Sequence, residues 1–452
     1  MILTFAPKAS LFGGDVKIGC LRMNILKLYN NGLVRNTVVY VLSDAINRAV
    51  PFLILPIIVR FLTPEDYGVI TNYAVLVQIV TVFIFGASQG SIPVHFFKME
   101  KEEFRIYVIN IISIAFAISV LCVAVFLLFD NYLYEILGLS KMFLVLAVIE
   151  VMFSAFICVN MLIWRCEEQP TKFGAFQISQ TILNVVFTLI LVMLMKWAWE
   201  GKIIAGFLAA FLMGTLSILI LYKKGYYHLK IDFSKARLVL IFALPLIPHA
   251  LALWGKTGID KIIITNISGL AENGLYSTAI TWGAIITMVI TSFGNAYNPY
   301  LLKKLAQFDK IPSVDNHYSE KTKIVKLSYI FVGIIGIIVL ISYFFFYGLI
   351  LYIYPESYHP STRFLSWIML GEFFRGWYLI YINYIHHVYK TKILGVITFS
   401  LSILQIGLSY VLLISVGTVG AAISTCIISL LTTIGVGTYA CKVYPMPWWF
   451  KK

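Results

Sequence analysis

The chain alternates long apolar runs with short polar connections over most of its length. A helix needs about 20 predominantly apolar residues to cross a bilayer. By that rule the pattern predicts about twelve spans, near 36–60, 67–96, 106–129, 141–164, 173–196, 203–222, 238–266, 273–302, 325–352, 364–388, 393–415 and 418–440. The sequence therefore predicts an all-α polytopic membrane protein.

The spans fall into two halves that share landmarks. The polar turn that ends at Gly68 and the turn that ends at Gly274 are 206 residues apart, and each is followed 25 residues later by a proline, Pro93 or Pro299. Six spans in each half give both halves the same orientation. This predicts two six-helix lobes that are parallel pseudo-repeats.

The predicted division of the chain follows from these halves. Its parts are a cytoplasmic N-terminal tail 1–33, an N-terminal lobe 34–222, a cytoplasmic linker 223–237, a C-terminal lobe 238–441 and a cytoplasmic tail 442–452. Within the first tail, residues 1–22 are interpreted as an upstream extension, because Met23 is followed by a sequence typical of a translation start.

Composition and charge agree with a membrane protein. Hydrophobic residues make up 60% of the chain and charged residues only 12%, against about 25% in soluble domains. With the N-terminus in the cytoplasm, 26 of the 35 Lys and Arg residues fall in inner segments. The outer segments hold Arg60, Lys141, Lys196, Lys202 and Arg363. This asymmetry predicts that both termini are cytoplasmic, and it explains the net charge of +14 without a nucleic-acid partner.

A small number of charged residues fall inside the spans, where each costs about 2.5 to 3.5 kcal/mol on insertion scales. Three acid–base pairs lie on single helical faces, Asp44 with Arg48, Lys256 with Asp260, and Glu372 with Arg375, and Glu150 stands in span four. Each pair could simply neutralise itself for insertion. Pairs in the first span of both halves favour a polar cavity instead. There we expect Arg48, Lys256 and Arg375 to bind an anionic group, and Asp44, Asp260 and Glu372 to be candidates for an ion-coupling site.

Prolines interrupt the same first spans of the two halves. Pro51 and Pro56 lie in span one, and Pro245 and Pro248 lie in span seven. Because proline removes a backbone hydrogen bond, these helices are predicted to bend. The alternative is that packing in a crowded bundle tolerates them without a function.

Aromatic and amide side chains cluster in spans eight and ten. Trp282, Asn295, Trp377 and Tyr381 are candidates to contact a glycan, because sugars stack on aromatic rings and bond to amides. Such residues also form interfacial belts or cores, and both interpretations stay open. The six cysteines show no metal-ligand spacing, and no nucleophile elbow, phosphate loop or zinc-protease motif occurs. No catalytic residue, metal site or cofactor is therefore predicted, and the protein is not expected to be an enzyme.

Four stretches carry a family resemblance. Asn36-Thr-Val-Val-Tyr40, the segment from Leu55 to Gly68, Asp260-Lys-Ile-Ile-Ile264 and Gly274-Leu-Tyr276 resemble Wzx-type O-antigen flippases, in the polysaccharide transporter branch of the MOP superfamily. The likeness runs from residue 23 to about residue 445.

The resemblance implies a V-shaped bundle in the bacterial inner membrane. Its cargo would be an undecaprenyl-pyrophosphate-linked oligosaccharide, moved from the inner to the outer leaflet. We expect this movement to occur by alternating access and to be coupled to a cation. Arg48 and Lys256 match the family's cationic cavity, and Asp260 matches its acidic position. Further expected partners are membrane lipids, a polysaccharide polymerase and a chain-length regulator.

Two other functions remain as alternatives. A MATE-like multidrug or cation antiporter would place acids in excess in the cavity, whereas here bases at least match acids. A membrane-embedded polysaccharide polymerase would need a large periplasmic loop, and no predicted outer connection exceeds about a dozen residues.

Overall fold

The structure is a computed structural model that describes residues 32–86, 88–226, 232–310 and 314–448. The predicted extension 1–22 and the possible start at Met23 lie outside the described residues. Within the described ranges the regular structure is helical throughout. The predicted all-α class is therefore confirmed.

The N-terminal half is built from helices α1 Gly32–Ile58, α2 Pro64–Thr81, α3 Ser91–Phe96, α4 Lys101–Leu128, α5 Asp130–Leu137, α6 Lys141–Cys166, α7 Pro170–Thr188 and α8 Ala198–Lys223. The C-terminal half is built from α9 Phe233–Ala243, α10 Ile247–Ser268, α11 Leu270–Lys310, α12 Val314–Ile353, α13 Thr362–His387, α14 Thr391–Val416 and α15 Val419–Val443. Short π-helical segments extend α2 through Val82–Gly86 and α7 through Leu189–Leu194.

Each predicted span corresponds to helical structure. In the described part of the chain, 11 helical segments are long and apolar enough to cross a membrane. The span predicted at 364–388 is α13, which is not among those 11. Glu372, Arg375 and its tyrosines lower its mean hydropathy. Its twenty-six residues are nevertheless enough to cross a bilayer.

Two large apolar cores lie in the two halves. The N-terminal core is centred on α2, α4 and α6, with Tyr107 and Leu144 fully buried. The C-terminal core joins α11, α12, α13 and α15, and also takes in Leu55 at the end of α1 and Val59 directly after it. The end of the first helix therefore packs against the other half of the protein.

The turn between α1 and α2 is fixed by local hydrogen bonds. The Thr63 hydroxyl accepts a hydrogen bond from the Asp66 backbone N–H at 3.1 Å, and the Asp66 carboxylate accepts one from the Thr63 N–H at 2.8 Å. This is a capping box, and Pro64 occupies the first turn, where its missing N–H costs nothing. The polar sequence between the first two spans thus stops one helix and starts the next.

The halves meet where α2 crosses α11 in backbone contact. A Cβ atom placed on Gly68 would lie 2.0 Å from the Leu270 carbonyl oxygen, and one on Gly274 would lie 1.8 Å from the Pro64 carbonyl oxygen. Pro64 and Leu270 each precede their glycine by four residues. The two landmark glycines therefore touch equivalent positions of each other's helix, as an approximate two-fold axis requires. Small residues permit such close approach in membranes.

The seventh predicted span, 238–266, is divided into two helices. A short 3₁₀ turn at Leu244–Leu246 separates α9 from α10, at the predicted bend beside Pro245 and Pro248. Helix α9 packs against α4 and buries Val239 in the N-terminal core, whereas α10 packs against α11 and α14. This span therefore connects the two halves physically as well as in sequence.

Candidate functional site

Two buried amides join the halves beside the crossing glycines, Asn72 one turn after Gly68 and Asn273 immediately before Gly274. Asn72 and Asn273 are fully buried, and the Asn273 side-chain amide donates to the Asn72 oxygen at 2.9 Å. The Asn72 amide donates to the Leu137 carbonyl at 2.9 Å, and the Thr265 hydroxyl donates to the Asn72 oxygen at 3.2 Å. Buried amides are stable only when bonded in this way. The crossing is therefore a specific polar contact as well as a close one.

Tyrosines add further contacts at this end of the bundle. The Tyr358 hydroxyl lies 3.2 Å from the Leu62 carbonyl and 2.8 Å from the Thr63 carbonyl, in the turn between α1 and α2. Tyr67 and Thr281 share a hydrogen bond of 3.2 Å across the crossing. The protein is consequently closed between its halves at the end that carries the α1–α2 turn.

On α1, the side chains of Asp44 and Arg48 are directed to different surroundings. Asp44 accepts a hydrogen bond of 3.0 Å from Gln177 of α7. Arg48 is exposed, and among the described residues no carboxylate lies within ion-pair distance of it. Seven and eleven residues further along come Leu55 and Val59, which share its helical face and enter the C-terminal core. Arg48 therefore lies on the side of α1 that faces the other half.

Helix α7 presents a polar stripe that was not predicted from the sequence. Gln177, Thr181, Asn184 and Thr188 recur at helical spacing and lie on one face. Gln177 bonds to Asp44, Thr181 bonds to Asn47, and the last two residues bond to Lys202 of α8. The spacing of polar residues within the predicted span 173–196 was the signal that could have identified it.

Lys202 and Glu150 are part of this polar interior. Lys202 was predicted to lie in an outer connection, and the structure corrects this. It is in the second turn of α8, where its ammonium donates to Asn184 at 3.0 Å and Thr188 at 3.1 Å. Glu150 accepts a hydrogen bond of 2.6 Å from Tyr73 and is close enough to be attracted by the Lys202 charge. The N-terminal half thus holds a compensated acid and base.

We expect Lys202→Met to lower the apparent melting temperature of the purified protein. The change removes two hydrogen bonds to an ammonium group, each worth about 1.5 to 3 kcal/mol. It also leaves Glu150 without its positive neighbour in a low-dielectric interior. Thermal unfolding in detergent measures the effect, and the double variant Lys202→Met/Glu150→Gln should recover part of the loss.

Lys141→Met is the matched control, because Lys141 is exposed at the start of α6. It should melt within a degree or two of the wild-type protein, as surface substitutions usually do. Equal melting temperatures for Lys202→Met and Lys141→Met would show that the Lys202 contacts contribute no stability.

Asp260 points into the C-terminal half. Its side chain is buried among α10, α14 and α15, and it accepts hydrogen bonds from Gln405 at 3.1 Å and Thr425 at 3.3 Å. Lys256 lies one turn earlier on α10, but its side chain is outside the described part of the structure. The structure thus places Asp260 in a polar site inside one half, away from Asp44.

Glu372 and Arg375 lie together on α13. Their side chains form an ion pair at 3.6 Å, and Thr287 of α11 donates to Glu372 at 2.6 Å. Half of the Arg375 side chain remains exposed, whereas Glu372 is 17% exposed. This pair matches the self-neutralising interpretation more closely than the Asp44 and Arg48 pair does.

The aromatic candidates for glycan contact differ in how far their rings are exposed. Trp282 is 4% exposed and packs on Phe346 within the core, so its ring offers no face to a glycan here. Trp377 and Tyr381 are half-buried and share a hydrogen bond of 3.2 Å. The Asn295 side chain is outside the described part. Trp377 and Tyr381 remain the aromatic positions with accessible surface.

Comparison with solved structures identifies the fold. The chain has the fold of MOP-superfamily transporters. It matches the lipid II flippase MurJ in an inward closed conformation at a TM-score of 0.69, with 14% identity over 90% of this chain and 88% of that one. An inward-facing multidrug resistance MATE transporter matches at 0.64, with 14% identity, over 89% and 97% of the two chains. The expected MATE-like fold is confirmed.

Sequence comparison gives the family. Residues 33–304 match the family described as polysaccharide biosynthesis protein, and the chain belongs to it. The chain is similar to the capsular polysaccharide biosynthesis protein CapF of Staphylococcus aureus, with 24% identity over 76% of this chain and 82% of the relative. It is also similar to the Lsg locus putative protein 1 of Haemophilus influenzae, with 22% identity over 60% and 67% of the two chains. The protein is thus a multi-pass membrane protein of a polysaccharide biosynthesis family, with the fold of MOP-superfamily transporters.

Proposed function

We propose that the protein moves a lipid-linked oligosaccharide across the bacterial inner membrane. The observation that carries this proposal is Arg48, an exposed cation within a membrane span, on the helix face turned toward the other half. A permanent positive charge at such a position is costly unless it meets an anion. A diphosphate between the lipid and the sugars is an anion that a guanidinium binds well.

The contacts that close one end of the bundle support a cavity between the halves that opens to the cytoplasm. The asymmetry of Lys and Arg predicts that the α1–α2 turn lies outside, and the contacts at Gly68 and Gly274 close that end of the bundle. The chain also matches an inward-facing MATE transporter more closely than an outward-facing one, at TM-scores of 0.64 and 0.51. A cargo made on the cytoplasmic side would enter this state, and separation of α2 from α11 would release it outside.

We assign cation coupling to the two carboxylates that accept hydrogen bonds from uncharged side chains. Asp44 is held by Gln177, and Asp260 by Gln405 and Thr425. Among the described side chains, no ion pair holds either carboxylate, so each can take up a proton or a metal cation without first breaking one. Glu372, already paired with Arg375, is a weaker candidate. Arg375 and Lys256 would add positive charge for the cargo.

The experiment is transport by purified protein in vesicles. A fluorescent undecaprenyl-diphosphate oligosaccharide in the inner leaflet should become accessible outside, and a lipophilic cationic dye should not be exported. Empty vesicles set the background. Dye export without movement of the lipid-linked sugar would replace this proposal with the multidrug alternative. Movement of neither cargo, from protein that remains folded, would contradict both functions.

A further inference from the structure

An apolar groove lies on the membrane side of the seam between the halves. It has a volume of about 400 Å³ and is bounded by α2 with its π-helical extension, α4, α5 and α10. Its walls are aliphatic and aromatic side chains, with the Cys122 thiol and Trp254 as the least apolar members. The Trp254 N–H is already used, because it donates to the Val75 carbonyl at 3.1 Å. The groove offers no polar group to a ligand.

Its shape is that of a slot. Three helices line it over equal lengths, from Val75 to Phe83, from Ile118 to Phe126 and from Trp254 to Ile262. Eight residues of helix rise about 12 Å, so the slot is about 12 Å long. Gly258 lies between Trp254 and Ile262 on α10, and a Cβ atom there would lie 3.1 Å from the Val75 side chain, so the glycine lets α10 pack closely on α2 along the slot. A single hydrocarbon chain fits this form better than a ring system or a head group.

One end of the slot is closed by polar contacts, and one side is open. The Asn266 amide donates to the Ile136 carbonyl at 3.0 Å, next to the bond from Asn72 to Leu137. At the mouth, Leu121 and Val125 of α4 are 62% and 40% exposed. Both lie in a predicted membrane span, so the mouth opens toward hydrocarbon. A chain can enter sideways from the bilayer without crossing a polar barrier.

We propose that this slot holds part of the hydrocarbon chain of the lipid-linked cargo while its diphosphate lies between the halves. The inference rests on the proposed function. A lipid whose head group is enclosed between two halves must let its chain leave through a seam between them, and the slot lies along such a seam. Its α10 wall packs with the C-terminal half and its other walls belong to the N-terminal half. Movement of the halves therefore changes the width of the slot together with the state of the head-group cavity.

The test is photocrosslinking of the full-length protein in phospholipid nanodiscs. A polyprenyl diphosphate with a diazirine on its chain is the probe, and a phosphatidylcholine with a diazirine on its acyl chain is the comparison. Wild-type crosslinks from the polyprenyl probe should map to α2, α4 and α10. Cys122→Trp fills the slot and should lower their yield at least tenfold, since two excluded methylene groups account for that factor.

Two further variants keep the test decisive if Cys122→Trp folds poorly. Val125→Trp acts at the exposed mouth, where the ring has room, and should also lower the yield tenfold. Ile149→Trp, on an exposed face of α6 outside the slot, should stay within twofold of wild type. Unchanged yield in Val125→Trp would overturn the inference, and so would equal labelling of the slot by the phosphatidylcholine probe.

The same preparations separate this inference from the proposed function. Normal flipping by Val125→Trp with unchanged crosslinks would remove the slot and leave the function standing. The opposite outcome is also defined. If the polyprenyl probe labels the slot and the tryptophan variants suppress that labelling, but the wild-type protein flips no lipid-linked sugar, the slot is a polyprenyl-chain site and the proposed function is wrong.

Discussion

Gly68→Ala is expected to abolish transport and to part the two halves at the end that carries the α1–α2 turn. The added methyl group would lie 2.0 Å from the Leu270 carbonyl oxygen, which is backbone and cannot rotate away. Overpacking in a close-packed interior costs about 1 to 3 kcal/mol where neighbours can adjust. Here α2 and α11 must separate, so the closed state loses most of its population.

Gly274→Ala should give the same result, because its methyl group would meet the Pro64 carbonyl oxygen at 1.8 Å. Since both substitutions separate one pair of helices, the double variant should cost less than the sum of the two single variants. Spin labels at Glu65 and Glu356, exposed at this end in opposite halves, measure the separation. The distance distribution should shift to longer values in all three variants.

Gly348→Ala is the matched control. This glycine also lies within a helix, but no neighbouring atom lies within 4 Å of its added Cβ. It should keep wild-type transport and spin-label distances. If Gly68→Ala and Gly348→Ala behave alike, backbone contact at the crossing has no part in holding the closed state.

Arg48→Ala is expected to lower flipping of a lipid-linked oligosaccharide at least tenfold without loss of folded protein. Removing an exposed side chain leaves the packing of α1 intact, while a charge-assisted contact to a diphosphate is worth about 1.5 to 3 kcal/mol. Arg48→Lys should retain part of the activity, because lysine keeps the charge and loses the two-pronged geometry. Surface polysaccharide in a strain that lacks its own flippase gives the cellular measurement.

Lys141→Ala controls for a general loss of positive charge, since Lys141 is exposed at the start of α6. It should export polysaccharide normally. Lys256→Ala is expected to behave as Arg48→Ala does, on the basis of its position in the sequence. Wild-type polysaccharide from both Arg48→Ala and Lys256→Ala, at normal protein levels, would refute an anion site formed by these residues.

Much of the fold could be predicted because the membrane insertion of a helix depends on the summed hydrophobicity of its own residues. Each span predicted from apolar length corresponds to helical structure, and the bend at Pro245 follows from the absence of one N–H. The errors occur where contacts with another helix determine the position of a side chain. Lys202 lies one residue before the predicted span 203–222 and was assigned to a connection, but hydrogen bonds to Asn184 and Thr188 hold it inside the bundle.

The candidate site was less accessible to prediction for the same reason. Asp44 and Arg48 lie four residues apart, and spacing alone cannot distinguish an ion pair from two residues with separate roles. The contact of Asp44 with Gln177 distinguishes them, because it occupies the acid and leaves the base exposed. Trp282 shows the converse, since an aromatic residue suited to a sugar is enclosed by other rings of the core.

By itself, the sequence determined that this is a helical membrane protein of two similar halves, because hydropathy and residue spacing are properties of the chain. It also marked Gly68 and Gly274 as equivalent positions. Only the tertiary structure decided that these two glycines meet, and that Asn72 bonds to Asn273 beside them. Such contacts depend on how separate helices cross, and the free energy of a crossing comes from atoms more than 200 residues apart.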